Sequence, residues 1–457
     1  MLRIKIKYLL IFLIVFSITV SCKSIVEEKE QNSTSEVSYI KPRIINTTDL
    51  GADPDDKQSM VRQLVSANEF DIEGLIVATG CWRKTQSSTE MLDTLVNAYE
   101  AVYPNLKVHA EGYPTPEYLR SISVMGQDEY GMGDVGTGKD SPGSELIIKA
   151  VDKDDPRPVW VMGWGGMNTV AQAIWKVRET RSSAELEKFL TKLRLFDILG
   201  QGDSGAWIAK NFPDVFYIRA TGVYGWQPPK NGDYQRSDIQ SHGPLGAVYP
   251  DTKYATEGDT PAFMHIYPNG LNDPEQIDQG GWGGRFSFIK KEGIRSMSCV
   301  EKENETKYDP YYMYGNTSEG SEAIKRWSEA YNNDFAARMD WSITNDYSDA
   351  NHHPLPVLNG DQTRQVMKIK AAPGSTVALS AAGSSDPDGN TISYSWSFYD
   401  EPSSYDGPVK IQNSSSHSAT VEIPEDAGNK SIHVILEVHD DGEPNLYAYR
   451  RVIISVN

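Results

Sequence analysis

The hydrophobic pattern of the chain changes its period once. From Ile44 to about Ala220, short β-branched runs alternate with stretches whose apolar residues recur every three or four positions. Arg43 to Thr48 predicts a strand, and Lys57 to Ser66, with Met60, Val61, Leu64 and Val65 on one face, predicts a helix. Further strands are expected at Asp71 to Thr79, Lys107 to Ala110, Pro158 to Met162, Arg194 to Leu199 and Val215 to Ala220. Helices are expected at Ser88 to Val102, Ser144 to Val151, Asn168 to Val177 and Ser182 to Leu193. This alternation implies an α/β domain, a mainly parallel sheet with helices on both faces, over residues 42–347. Two long Gly-rich insertions, Gly126 to Gly143 and Gly222 to Gly246, are too irregular for the scaffold, and loops of that length usually carry function. A linker follows around Asn345 to Asn359, and its two histidines, His352 and His353, read as linker residues. Beyond it the period is two, in Thr376 to Ser380, Ile392 to Phe398, Ala419 to Ile423, His433 to Val438 and Arg451 to Val456. Asp-rich turns separate these runs, which predicts an immunoglobulin-like β-sandwich over residues 352–457; nothing in its sequence marks a site, so it reads as a spacer, with a weak carbohydrate contact as the alternative.

The stretch that organises the first domain is the loop Thr48-Asp49-Leu50-Gly51-Ala52-Asp53-Pro54-Asp55-Asp56. It joins the first strand to the first helix, at the carboxyl edge of a parallel sheet, where open α/β folds bind ligands. One carboxylate suffices to cap a helix; four crowded together repel one another. The repulsion is relieved by raised pKa values or by a hard cation such as Ca2+, which takes six to eight oxygens.

Charge and cysteine usage narrow the setting. The 457 residues carry a formal charge of −19, which argues against nucleic acid and anionic membrane surfaces as partners. Trp and Tyr, at 10 and 24, together outnumber the 12 Phe, which suits flat polar ligands such as sugars. The 3 cysteines, Cys22, Cys81 and Cys299, are too few and too odd in number for a disulfide framework. Cys22 closes a basic then apolar leader, Met1 to Val20, that resembles a bacterial lipoprotein signal over residues 1–22. That resemblance implies an exported protein, lipid-anchored through Cys22 to the outer membrane, with the acidic segment 23–41 as tether.

Four segments place oxygens at loop–helix junctions: the acidic loop, Gly165 to Ala171, Glu257 to Phe263 and Asn333 to Arg338. Together they resemble the nucleoside hydrolase superfamily, whose Asp-rich signature is matched by Asp49, Gly51, Asp55 and Asp56 with one extra residue between the Gly and the Asp pair. Gly243 to Gly246, Glu257 to Pro261, Gly280 to Arg285 and Asn333 to Arg338 further resemble the nucleoside-hydrolase-like branch described as cellulose-binding proteins, which adds a C-terminal immunoglobulin-like domain.

The resemblance implies Ca2+ held by Asp49, Asp56, Asp334 and the main-chain oxygen of Asn168, with Asp55 or Asp53 as the base that deprotonates a water. It implies Glu257 and Asp259 on the sugar hydroxyls, with Asn333 where the family has a late His. Trp82, Trp164, Trp226 and Trp282 are candidates to stack on sugars, and Arg285 to contact an acidic one. Cys81 and Trp82 follow Gly80 where the family has Asn. Both departures, there and at Asn333, fall on the leaving-group side. The expected function is Ca2+-dependent hydrolysis of a glycosidic bond in extracellular polysaccharide degradation. The alternatives are a non-catalytic polysaccharide-binding lipoprotein and, disfavoured by Cys81 and Asn333, a nucleoside N-ribohydrolase.

Overall fold

The computed structural model describes residues 40–457 except 224, 228–231, 294–298 and 301–303. Cys22, the leader and nearly all of the acidic tether lie outside the described residues. No helix among the described residues is long and apolar enough to cross a membrane.

Eight strands form the first sheet: β1 (Arg43–Thr48), β2 (Asp71–Val77), β3 (Ser123–Met125), β4 (Val159–Gly163), β5 (Leu193–Ile198), β6 (Phe216–Ala220), β7 (Phe286–Lys291) and β8 (Tyr311–Asn316). Their order is β3-β2-β1-β4-β5-β6-β8-β7, parallel throughout except for the edge strand β7. β1 is buried at every position, as a central strand covered on both faces requires. Its one charge, Arg43, is matched by Glu73 at 2.6 Å. Strand order reverses beside β1, which pairs with β2 on one side and β4 on the other. The loops leaving β1 and β4 therefore diverge to opposite faces and leave a crevice between them.

Helix α1 (Asp55–Val65) follows the acidic loop. Met60, Val61, Leu64 and Val65 are fully buried, as their spacing predicts. Asp55 and Asp56 occupy its first turn, where the positive end of the helix favours carboxylates.

Helix α2 runs from Glu90 to His109, so the strand expected at Lys107 to Ala110 does not form. The helix continues through Pro104 because Val102 and Leu106 stay on its buried face, and His109 at its end stacks on Trp341. A four-residue apolar run cannot reveal such a continuation.

The C-terminal part is a sandwich of a three-stranded sheet, β10 (Thr376–Ser380), β13 (Ser418–Glu422) and β12 (Lys410–Gln412), and a four-stranded one, β11 (Ser393–Tyr399), β14 (Ser431–His439), β15 (Tyr447–Val456) and β9 (Met367–Ala371). It shares a core with the α/β part. Tyr449 packs edge-on against Trp282 and Trp327, and the Arg451 guanidinium donates to the carbonyls of Gln279 (2.8 Å) and Gly280 (2.9 Å). The spacer reading of this part gives way to an integral one. His352 is likewise no free linker residue. It stacks on Tyr347, with ring centroids 3.7 Å apart, and bonds Asp388 of the sandwich (2.9 Å) and His109 (3.1 Å).

Cys81 and Cys299 form a disulfide that ties the loop after β2 to a segment 218 residues away. The sparse cysteine count misses it because the partners meet only through the fold. Thiol labelling of the folded protein is expected to modify Cys81 and Cys299 only after reduction; labelling of both without reductant would contradict the pairing.

Candidate metal centre

The acidic loop lies at the mouth of the crevice beside β1. Asp53, Asp55 and Asp56 each offer one carboxylate oxygen, and these oxygens lie within 4.8 Å of one another. Asp53 Oδ1 accepts from the Asp55 N–H (3.1 Å) and Asp55 Oδ1 from the Asp56 N–H (3.0 Å). Asp56 also accepts from the Thr48 hydroxyl. Asp49 and Asp259 complete the group. Together with Ala52, Trp82, Trp164, Ile198, Leu199 and Gln201, the five aspartates line a small cavity of roughly 10 Å3, about the room of one water or ion.

Electrostatics in the cavity are unbalanced. Burial and then the charge of Asp53 push Asp49 up to about 7, against the weaker pull of its own backbone bonding and of Arg83. Burial and then the charge of Asp49 raise Asp56 well above the usual carboxylate range. Asp259 is raised likewise, by burial and then by Asp56, Asp49 and Asp53. Burial raises Asp53, and Lys253 opposes it. Asp49 Oδ2 is buried and makes no hydrogen bond among the described residues. A buried carboxylate oxygen without a hydrogen bond, in a cavity lined by four further aspartates, belongs to the kind of donor set a hard divalent cation takes. These residues fit such an ion.

The backbone leaves room for these carboxylates by omitting side chains. A Cβ on Gly80 would lie 1.8 Å from Asp49 Oδ2, and one on Gly258 would lie 2.2 Å from Asp55 Oδ2. Three loops are pinned around the cavity by Gln201, whose Nε2 donates to the Trp164 carbonyl (2.7 Å) and whose Oε1 accepts from the Cys81 N–H (3.0 Å). Trp164 is buried in the cavity wall, and Trp82 stands 53 % exposed at its mouth.

Several residues expected here are engaged elsewhere. Asp334 lies in a separate buried network, with Arg338 Nε at 2.8 Å and His353 Nε2 at 3.1 Å. Against the effect of burial, Arg338 and His353 hold its carboxyl well below the usual range, so it acts as a structural anion. Asp259 takes the place in the cavity that Asp334 was expected to fill. Glu257 is fully buried and pairs with Arg62, so its carboxylate is not presented to a sugar. Its φ of +50° turns the chain so that Gly258 and Asp259 reach the cavity. The Asn168 side chain donates to Thr79 Oγ1 (3.1 Å) and the Glu129 carbonyl (2.7 Å), and the residue is not part of the cavity lining.

Asn333 Nδ2 donates to Asn445 of the sandwich (2.7 Å), and Arg285 is paired with Glu319 and donates to the Glu401 carbonyl (2.6 Å), so both serve the junction of the two parts. Trp282 is buried against Tyr267, Tyr331 and Tyr449, and the Trp226 indole donates to the Glu257 carbonyl (2.9 Å). Short motifs locate loop–helix junctions but not which side of a helix faces the crevice. Leu199 and Gln201 went unsuspected, although their Gly-rich loop, Leu199 to Gly202, leaves the carboxyl end of β5 as a site loop should.

Sheet order, crevice and acidic loop together define a nucleoside-hydrolase-like α/β domain. Residues 43–286 match the family described as "Cellulose-binding Sde182, nucleoside hydrolase-like domain", and residues 376–456 match "Cellulose-binding protein Sde0182, C-terminal domain"; the chain belongs to this family. A solved structure of a nucleoside hydrolase-related hypothetical protein from Saccharophagus degradans, described as associated with carbohydrate metabolism, is 60% identical. That match covers 92% of this chain and 100% of the other, with a TM-score of 0.88. A PKD domain from the KIAA 1837 protein is 25% identical over 20% of this chain and 80% of its own, at a TM-score of 0.16 too low to carry an argument. No curated protein matches the chain.

Proposed function

We propose that the protein is a Ca2+-dependent carbohydrate-active protein, exported and anchored through Cys22 to the outer membrane, that hydrolyses a glycosidic bond during extracellular polysaccharide degradation. The observation that carries this reading is the convergence of five aspartates on one cavity whose mouth bears an exposed tryptophan. Asp49, Asp56 and Asp259 would hold the cation, and Asp53 and Asp55 are close enough to add oxygens. When bound, the ion supplies a Lewis acid that acidifies a coordinated water. Whichever of Asp55 and Asp53 is not used as a ligand receives a proton on Oδ2, since Oδ1 of each is held by a backbone N–H. Trp82 offers a face for a sugar ring, and Trp164 closes the cavity to bulk water. The family's name and the description of the Saccharophagus relative support a carbohydrate ligand.

A second reading, polysaccharide binding without turnover, is favoured by the cavity size. About 10 Å3 admits an ion but not a sugar ring, which would stay at the mouth. The test is hydrolysis of nucleosides, aryl glycosides and polysaccharide oligomers, with Ca2+ and with chelator, by the wild type and Asp55→Ala. Ca2+-dependent product release that falls at least a hundredfold in the variant supports hydrolysis. Ca2+-dependent retention on a polysaccharide without product establishes the binding reading instead.

A further inference from the structure

Beside the acidic cavity lies a second, open groove of about 360 Å3, a volume ordinary for a ligand site. The two share Ala52 and Asp53. The groove's own walls include Lys57, Met91, Pro250, Lys253 and Tyr254. We propose that this groove is a subsite for an anion-bearing sugar residue, a uronate or a sulfate ester, of a glycan whose neighbouring unit sits at the acidic cavity. The proposal rests on the carbohydrate reading above and adds to it the charge of the ligand.

Three observations support the assignment. Tyr254 is 68 % exposed, and a large aromatic ring left in water beside a groove offers an apolar face for the flat side of a sugar. Lys253 Nζ lies 5.0 Å from the centre of that ring, so a cation and a stacking surface meet at one place. Neither Lys57 nor Lys253 forms a salt bridge among the described residues, in a chain with 63 acidic and 44 basic side chains. The charge of Lys253 acts on Asp53, which the groove and the cavity share.

The wall that bears these groups is fixed. Gln58, fully buried in α1, donates to the Pro250 carbonyl (3.0 Å) and to Thr252 Oγ1 (3.0 Å), which holds the segment carrying Lys253 and Tyr254 against the helix that carries Lys57. A neutral glucan in this groove would displace water from two ammonium groups without returning a charged partner. A carboxylate or sulfate returns charge-assisted hydrogen bonds, which are about twice as strong as neutral ones.

The test uses the full chain with Ca2+ and three probes of equal length: a neutral cello-oligosaccharide, its C6-oxidised uronate form and its sulfated form. Free glucuronate and inorganic sulfate serve as separate small anions. Wild type is expected to bind one or both anionic oligomers at least tenfold more tightly than the neutral one, with a preference that shrinks as salt rises. Lys57→Gln/Lys253→Gln, at positions that are not buried, should erase that preference by weakening the anionic oligomers, and should not weaken the neutral one. Tyr254→Ala should weaken all three. Neutral binding with no anionic preference, or a preference that survives in the double lysine variant, overturns the subsite while leaving the carbohydrate reading intact. Lysine-dependent binding of inorganic sulfate without glucuronate or any oligomer overturns the carbohydrate reading and, with it, the sugar occupant; lysine-dependent binding of free glucuronate supports the subsite. Binding of no probe overturns both.

Discussion

Replacing Glu257 by alanine will destabilise the protein by about 3–5 kcal/mol, because it leaves a buried guanidinium without its counter-ion. Arg62 Nε lies 2.5 Å from Glu257 Oε2, and both side chains are essentially inaccessible. Tyr249 OH donates to the same carboxylate (2.8 Å), and the Glu257 N–H is accepted by Gln58 Oε1 (2.9 Å). One residue thus anchors Arg62, Tyr249 and α1, and its left-handed backbone aims Asp259 at the acidic cavity. Glu257→Gln keeps the shape and removes the charge, and its cost should be smaller. Paired removal as Arg62→Met/Glu257→Leu should recover much of the loss, since a buried ion pair is often replaceable by apolar groups of similar volume. Denaturant unfolding of the four proteins decides the matter. Unchanged stability in Glu257→Ala, with loss of carbohydrate binding alone, would return Glu257 to the role of a direct sugar contact.

Calcium will stabilise the protein at neutral pH and far less at pH 5. The folded state raises Asp49 from 3.8 to about 7, and Asp56 and Asp259 move in the same direction. A raised carboxyl binds its proton more tightly in the folded than in the unfolded chain. Its stabilisation is therefore complete below the unfolded value and is lost as pH rises through the folded one. Without metal, stability should fall between about pH 4 and pH 7 by a few kcal/mol from this cluster.

A divalent ion at a hundredfold excess over its Kd restores about 2.7 kcal/mol where the carboxylates are ionised, and less where protons occupy them. Thermal melts with Ca2+ and with chelator at pH 5 and pH 7.5 measure this directly. Asp56→Asn should raise the melting point in chelator at pH 7.5 and abolish most of the response to Ca2+. Equal melting points with and without Ca2+ at pH 7.5 would remove the cation from the account of the site.

The parts of the site legible in the sequence are those that depend on neighbours along the chain. Asp49, Asp53, Asp55 and Asp56 lie within one strand-to-helix turn, so their crowding follows from spacing alone. Gly165 could be matched for the same reason: its lack of a side chain lets the β4 loop pass the acidic one, where a Cβ would stand 2.8 Å from Asp49 Cβ. Asp334 and Glu257 each sit in the expected motif but pair with a buried arginine: Arg338, one turn further along the same helix, and Arg62, from the distant α1, and spacing alone does not show which way either carboxylate turns. The partners that engage Asn333 and Arg285, Asn445 and Glu401, belong to a sandwich whose docking is not encoded in local pattern.

By itself, the sequence determined the alternation of elements in the α/β part, the period-two sandwich, the acidic turn and the family these define. Each of these is set by residues within one or two turns of the chain, where side-chain period and backbone geometry leave few choices. The tertiary structure alone decided that Asp259 joins the aspartates in place of Asp334, that Gln201 holds three loops together and that Cys81 meets Cys299. It also brought Lys57 and Lys253, 196 positions apart, to one groove beside the acidic cavity. Such pairings depend on which loops diverge where the strand order reverses, and on which charges burial forces to find partners. Both are settled only when the whole sheet has closed around them.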